Sequence, residues 1–295
     1  MLPAGKTLAQ AKVNLALRIL GKNDDGYHSI ETVFLRLELA DTVLVRPTGG
    51  ARSLRCEAMF GENPEDNLAF RAAAMFAAET GWPRGFDIEI DKHIPIGGGL
   101  GGGSADAAAV LRILNALSPR PVGAEALLAL AGRLGADVPF LASDHLMALA
   151  WGRGEMLAPL TPLPARKLVL LTPTRGMSTS HAYSRVAASR GDYAPRPRSL
   201  SPEMFQSWDN AAKHSVNEFE PLVGDEVPRI RSWIEDGARL GILTRLSGSG
   251  STVFMVDNGT KDSLQAAVAS LKLDKGTRVI RTRTADSVVP IEVLD

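Results

Sequence analysis

Residues 95–103 read Pro-Ile-Gly-Gly-Gly-Leu-Gly-Gly-Gly, and Ser104, Ala105 and Asp106 follow. Such a run cannot build a core; it removes Cβ atoms so that backbone N–H groups can crowd around a ligand. Phe86, Ile88 and Ile90 alternate with Asp87, Glu89 and Asp91 just upstream, the period of a half-buried strand. Ala107, Val110, Leu111, Leu114 and Leu117 fall at helical spacing just downstream. A strand, a turn without side chains and a helix start aim free N–H groups and the positive end of the helix dipole the same way. That is an anion site, and a phosphate chain is the expected anion. No Gly-Lys-Ser or Gly-Lys-Thr follows, which excludes a Walker A loop. A dinucleotide-binding turn would need an acidic residue at a strand end about twenty residues on, where residues 119–125 instead read as a loop entering a helix. The alternative for the glycines is a flexible linker.

Other positions could do chemistry beside a phosphate. Lys12 and Asn14 lie on one face of an early strand whose other face carries Val13, Leu15, Leu17 and Ile19. A fixed cation is what phosphoryl transfer needs, because its catalysis is mostly positioning and electrostatics; a solvent-facing strand lysine is the alternative. Asp137 follows a helix stop, and Pro139 is expected to hold Val138 out of the helical region and Asp137 in a rigid turn. Such a carboxylate can accept a hydroxyl proton or simply cap the next element. Residues 246–252, Leu-Ser-Gly-Ser-Gly-Ser-Thr, allow a close backbone approach or form an ordinary turn. Tyr27 and His28 follow a turn at Asp24-Asp25-Gly26, and could stack on and hydrogen-bond a ring or pack as hairpin residues. Ser104 reads as an N-cap and Asp106 as a first-turn acid, and either could touch a nucleotide or Mg²⁺. The remaining histidines, 93, 145, 181 and 214, show no metal-site spacing, so no metal ligand is assigned.

These residues need elements to hold them. Strands are expected at 31–39, 42–46, 168–171, 252–256 and 277–284, and helices at 67–79, 124–134, 227–237 and 263–271, with Gly81 and Gly135 as helix stops. Residues 185–202, rich in Arg, Ser, Ala and Pro, read as a loop or irregular helix. Mixed strands and helices without βαβ repetition imply an α+β fold. The proline-rich stretch 158–164 suggests two domains, 1–162 and 163–295. The formal net charge is zero, so no global field favours nucleic acid or an acidic membrane. Cys56 is the single cysteine, which excludes internal disulfides and a thiolate metal cage and fits a reducing compartment. No signal-peptide core or membrane-length apolar run is present, so a cytoplasmic protein is expected.

Taken together, 11–15 (Ala-Lys-Val-Asn-Leu), 25–28 (Asp-Gly-Tyr-His), 95–107, 134–139 (Leu-Gly-Ala-Asp-Val-Pro), 217–220 (Asn-Glu-Phe-Glu) and 246–252 resemble the GHMP kinase superfamily. They are most similar to its branch that moves the ATP γ-phosphoryl group to a cytidine-diphosphate-linked methylerythritol, a step toward isoprenoid precursors. The resemblance implies a ribosomal-protein-S5-like N-terminal domain, a ferredoxin-like C-terminal domain and ligands in the cleft between them. It implies a catalytic pair, Lys12 and Asp137, and an ATP site at Pro95, Ile96, Gly97, Gly98, Gly99, Leu100, Gly101, Gly102, Gly103, Ser104, Ala105 and Asp106, with Asn67 toward the adenine and Mg²⁺ accompanying the nucleotide. Asn14, Tyr27, His28, Thr179 and Tyr183 map to the acceptor, the tyrosines gripping the cytosine. The chain departs at Glu218, where the branch often carries Asp, and 185–215 matches no motif. The alternatives are a GHMP kinase acting on homoserine, mevalonate or a sugar, and a non-catalytic ATP-binding regulator.

Overall fold

The structure, a computed structural model, describes residues 2–23, 26–57, 63–174, 176–190, 195–260 and 262–295. The alternation at 13–19 belongs to a longer strand, β1 (Ala4–Lys22). Its partner β2 (His28–Thr48) is continuous, not the two strands expected at 31–39 and 42–46. Ala40 and Asp41, in the expected gap, pair with Gln10 and Ala9 of β1, so ladder pairing carries the strand through residues of low β-propensity. Asp24 and Asp25 of the expected turn lie outside the described residues; Gly26 has φ +84°.

The first unit continues through β3 (Arg52–Cys56), α1 (Leu68–Thr80), β4 (Gly85–Asp91), α2 (Gly102–Leu117), α3 (Ala124–Leu134), α4 (Val138–Ala142), β5 (Met147–Gly152) and β6 (Met156–Pro159). Its strands run in the order β3-β4-β2-β1, with β5 also pairing β2 and β6 outside β5. Asn67 starts α1 by accepting the Ala69 N–H at 2.8 Å, and Gly81, with φ +72°, ends it. Helix α2 lies across β1 and β2 and touches α1, α3 and α4. Its buried Val110, Leu111, Ile113 and Leu114 supply apolar area, and Ala105, Ala107, Ala108 and Ala109 let the backbones approach closely.

The second unit contains β7 (Lys167–Thr172), α5 (Thr179–Arg190), α6 (Trp208–His214), α7 (Glu220–Glu226), α8 (Pro228–Arg239), β8 (Leu243–Leu246), β9 (Val253–Val256), α9 (Ser263–Ser270) and β10 (Arg278–Arg283). Its antiparallel order, β10-β7-β9-β8, is the ferredoxin-like arrangement. A final strand, β11 (Glu292–Leu294), returns to the free edge of β1. Of the stretch 185–202, residues 185–190 finish the regular helix α5, whereas 195–200 run without regular structure, as expected. Residues 191–194 of that stretch lie outside the described residues. The period of two in β7 divides two cores: Leu168 and Leu170 face the first, with Phe254 and Val256, while Val169 and Leu171 face the second, with Trp233 and Phe219. The two units therefore share a wall, and the fold is the expected α+β.

Candidate active site

Lys12 is not on a solvent face; its side chain is 3 % exposed. Lys12, Val13 and Asn14 pair with Arg36, Leu35 and Phe34, and register shifts interrupt the ladder on both sides of this block. Such irregularities re-aim side chains. The Lys12 Nζ donates to Asn14 Oδ1 at 2.8 Å and to the Gly99 carbonyl at 3.0 Å, and lies 5.5 Å from the Phe34 ring centroid. Asn14 in turn donates to Thr32 Oγ1 at 2.8 Å. The ammonium is thus fixed by neutral acceptors from two elements.

Two glycine segments close around it. Gly97, Gly99 and Gly101 all have φ near +72° to +76°, a conformation that side chains resist. The Lys12 N–H donates to the Leu100 carbonyl at 3.0 Å, which ties β1 to the turn. The second segment, 246–252, packs directly against it: Ser247 Oγ donates to the Gly99 carbonyl at 2.9 Å and the Thr252 N–H to the Gly98 carbonyl at 3.1 Å. A Cβ on Gly99 would run into the Ser247 carbonyl oxygen, so the contact requires glycine there. The close-approach reading of 246–252 is what the structure displays.

Asp137 reaches the same place from the other wall. Gly135 ends α3, and Asp137 precedes α4 with no capping bond from its side chain. Val138 is helical after all: Pro139 falls in the first turn, where no N–H partner is required. The Asp137 carboxylate, 31 % exposed, lies 3.4 Å from Lys12 Nζ. These groups face one open cleft of about 1080 Å³ that also takes in Asn14, Tyr27, His28, Gly99, Ser104, Thr179 and Tyr183. A volume of that order accommodates nucleotide-sized ligands.

Comparison with known proteins agrees with this geometry. The sequence matches the GHMP kinases N terminal domain over residues 67–146 and the GHMP kinases C terminal domain over 192–273. It is 36 % identical over 275 residues to the 4-diphosphocytidyl-2-C-methyl-D-erythritol kinase of Salinibacter ruber, covering 90 % of this chain and 93 % of the relative. It is 37 % identical over 283 residues to that of Pelotomaculum thermopropionicum, covering 93 % and 96 %. The chain belongs to the 4-diphosphocytidyl-2-C-methyl-D-erythritol kinase family of GHMP kinases. A crystal structure of a 4-(cytidine 5'-diphospho)-2C-methyl-D-erythritol kinase superposes with a TM-score of 0.75 at 34 % identity, covering 96 % of this chain and all of that one. A homoserine kinase from Cytophaga hutchinsonii reaches 0.66 at 16 % identity, a likeness of fold alone.

Within this GHMP kinase the expected nucleotide-loop residues fall into three groups. Gly99 and Ser104 line the cleft. Leu100, Ala105 and Asp106 are buried, so contact with a cleft ligand falls to their backbone. Pro95, Ile96, Gly97, Gly98, Gly101, Gly102 and Gly103 form the surrounding turn and helix start. Ser104 is not the N-cap; Gly101 holds that position and provides no side-chain bond, which leaves first-turn N–H groups open. The Asn67 carbonyl oxygen of the side chain is occupied by capping α1. Asp106 meets Lys92 Nζ at 2.6 Å, and Lys92 also meets Asp41 at 2.5 Å. Burial, above all, pushes the Asp106 carboxyl up to about 7. The aromatic pair that forms is His28–Tyr183, with ring centroids 4.9 Å apart. Thr179 Oγ1 accepts from Ser249 Oγ at 3.0 Å, which joins α5 to the second glycine segment.

Sequence reasoning missed Lys22, Arg71 and Arg153 in the cleft. The Arg153 guanidinium lies 3.9 Å from the Tyr27 ring centroid. They come from β1, α1 and the β5–β6 connection, and nothing in the local pattern separates them from ordinary surface cations. Among the described residues no group of three or more His, Cys, Asp or Glu is placed to hold a metal. No helix among them is long and apolar enough to cross a membrane.

Proposed function

We propose that this cleft transfers the γ-phosphoryl group of ATP to the 2-hydroxyl of 4-diphosphocytidyl-2-C-methyl-D-erythritol, a step of the non-mevalonate route to isoprenoid precursors. The observation that carries the reading is the Lys12–Asp137 contact, 3.4 Å long, at the wall of a glycine turn that opens a helix. The open N–H groups at the start of α2 and its dipole receive the ATP phosphates. Asp137 accepts the proton of the attacking hydroxyl, a role its open carboxylate suits. Lys12 stabilises charge on the transferring group, and Asn14 keeps the ammonium aimed. Tyr27, His28, Tyr183 and Thr179 bind the cytidine end, and remote binding energy positions the reacting hydroxyl. Lys22, Arg71 and Arg153 give the cleft a positive lining suited to two polyphosphate ligands.

We include Mg²⁺ as the companion of the nucleotide. Ser104 and Asp137 are among the oxygen donors that line the cleft and would hold it, and Mg²⁺ held mainly by phosphate oxygens and water needs few protein ligands. It would neutralise phosphate charge when bound. The reading places the protein in the cytoplasm, with small molecules rather than nucleic acid as partners. It divides the chain into an ATP-binding unit, 1–162, and a second unit, 163–295, supported by the change of sheet between Pro159 and Lys167.

A coupled ADP-release assay against a panel of acceptors tests this reading. Turnover is expected with cytidylylated methylerythritol and not with homoserine, mevalonate or free sugars. Turnover confined to one of those other acceptors, or ATP binding with no ADP release on the whole panel, overturns it.

A further inference from the structure

Directly opposite Lys12 on β2 sits a second cation, Arg36, of which only 1 % is exposed. No carboxylate among the described residues forms a salt bridge with it. Its guanidinium is instead surrounded by backbone carbonyls. The η nitrogens donate to Phe140 O at 2.8 Å, to Ser143 O at 3.0 Å and to Leu141 O at 3.4 Å, and Nε donates to His145 O at 3.1 Å. These carbonyls belong to the end of α4 and the turn after it, where helix carbonyls carry negative partial charge; the Phe140 carbonyl also accepts Ser143 Oγ at 2.7 Å. The planar fork of arginine suits several such acceptors at once; a lysine could not reach them all. Burial lowers the Arg36 pKa to about 9, with Arg112 adding to the shift and Asp144 opposing it, so the group stays cationic at neutral pH.

Helix α4 has five residues, and Asp137 occupies its N-cap position. A helix that short has almost no stability of its own. The Asp137 carbonyl accepts the Leu141 N–H at 3.2 Å, so the carboxylate-bearing residue is tied to the segment Arg36 holds. Ring packing adds a second link. The Arg36 guanidinium lies 5.1 Å from the Phe140 ring centroid, Phe140 stacks on Phe34 at 5.0 Å, and Lys12 Nζ lies over the other ring of that pair. One β2 segment thus carries supports for both members of the Lys12–Asp137 pair.

We infer that Arg36 is a positioning residue for phosphoryl transfer: by binding the carbonyl end of α4 it holds Asp137 at its distance from Lys12. The inference rests on the proposed role of Asp137. Arg36 touches neither cleft nor substrate, so its removal should act on turnover and leave the KM for ATP and acceptor close to wild type. A displacement of the carboxylate by about 1 Å corresponds to a loss in kcat on the order of 10²-fold.

The test compares Arg36→Met, Arg36→Lys, Asp137→Asn and the double variant Arg36→Met/Asp137→Asn, with kcat and both KM values measured on folded protein. Arg36→Met is expected to lose kcat with little change in KM, Arg36→Lys to recover part of the loss, and the double variant to fall hardly below Asp137→Asn. Unchanged kcat in Arg36→Met, a loss confined to KM, or full additivity in the double variant overturns the inference. Wild-type turnover in Asp137→Asn instead overturns the reading of Asp137 itself. Should Arg36→Met not fold, Arg36→Lys carries the comparison. Hydrogen exchange on the wild-type protein supplies an independent readout. The Leu141 and Ser143 amides should exchange as slowly as the central strands, and exchange at loop-like rates overturns the inference.

Discussion

Two lysine–aspartate clusters flank the glycine turn, and they are built differently. Lys12 and Asp137 meet at 3.4 Å, and the carboxylate is 31 % exposed to the cleft. Lys92 meets Asp41 and Asp106 at 2.5 and 2.6 Å, with both acids sealed. Asp41 is saturated further, accepting the backbone N–H groups of His93 and Ile94. The sealed cluster joins β2, the segment before the glycine turn and the second turn of α2, where Asp106 falls rather than in the expected first turn, because the helix starts at Gly102. Its contacts are shorter, yet no substrate can use them. The open pair has the looser contact and an accessible carboxylate, which is what proton acceptance requires. Residue type and charge alone do not separate the proposed catalytic pair from the structural one; access does.

The sharpest way to break this contrast is Asp137→Asn. Turnover should fall by about 10²–10⁴-fold, the usual contribution of a positioned base, with the thermal midpoint nearly unchanged; steady-state kinetics and a melting curve decide it. Lys92→Met should show the opposite profile. It strands two buried acids without their cation, and breaking such a pair costs about 3–5 kcal/mol of stability. Denaturant unfolding measures that loss, and an undiminished unfolding free energy would show that the cluster is not the support described here. Lys12→Ala returns to the open pair, with kcat expected to fall on the order of 10²–10³-fold by analogy with loss of a single electrostatic donor. Full activity would remove Lys12 from the mechanism.

The smallest effect concerns pH. Burial raises the folded-state pKa of Asp106 from 3.8 to about 7. Between those values the native protein holds a proton that the unfolded chain has released. The wild type therefore loses stability through this group as pH rises from about 4 to about 7. Asp106→Asn has no such proton, so the stability difference between wild type and variant should shift against the wild type across that interval. A difference that stays constant with pH would show that Asp106 ionises at its ordinary value in the folded protein.

Much of the site was legible from local pattern. The strand–glycine–helix order at 86–117 was readable because positive-φ turns and helix starts are dictated by nearby residues. The α1 boundaries followed from Asn67 and Gly81 for the same reason. Other features were not legible. Continuous pairing with β1 carried β2 through Ala40 and Asp41 against local propensity. Ser104 lost the capping position to Gly101 because the turn needed a left-handed residue there. Asp106 looked available for a nucleotide, yet it is taken by Lys92, a residue fourteen positions away.

By itself, then, the chain's local chemistry determined where backbone N–H groups would be left open, which strand would carry Lys12, and that Asp137 would follow a helix stop. Tertiary structure decided which lysine meets which acid, which of those acids water can reach, and that Arg36 would lie under α4 rather than on a surface. The reason is physical: turn and cap geometry are set within a few residues, whereas burial and charge pairing depend on segments separated by tens to hundreds of residues, whose approach only the packed core can specify.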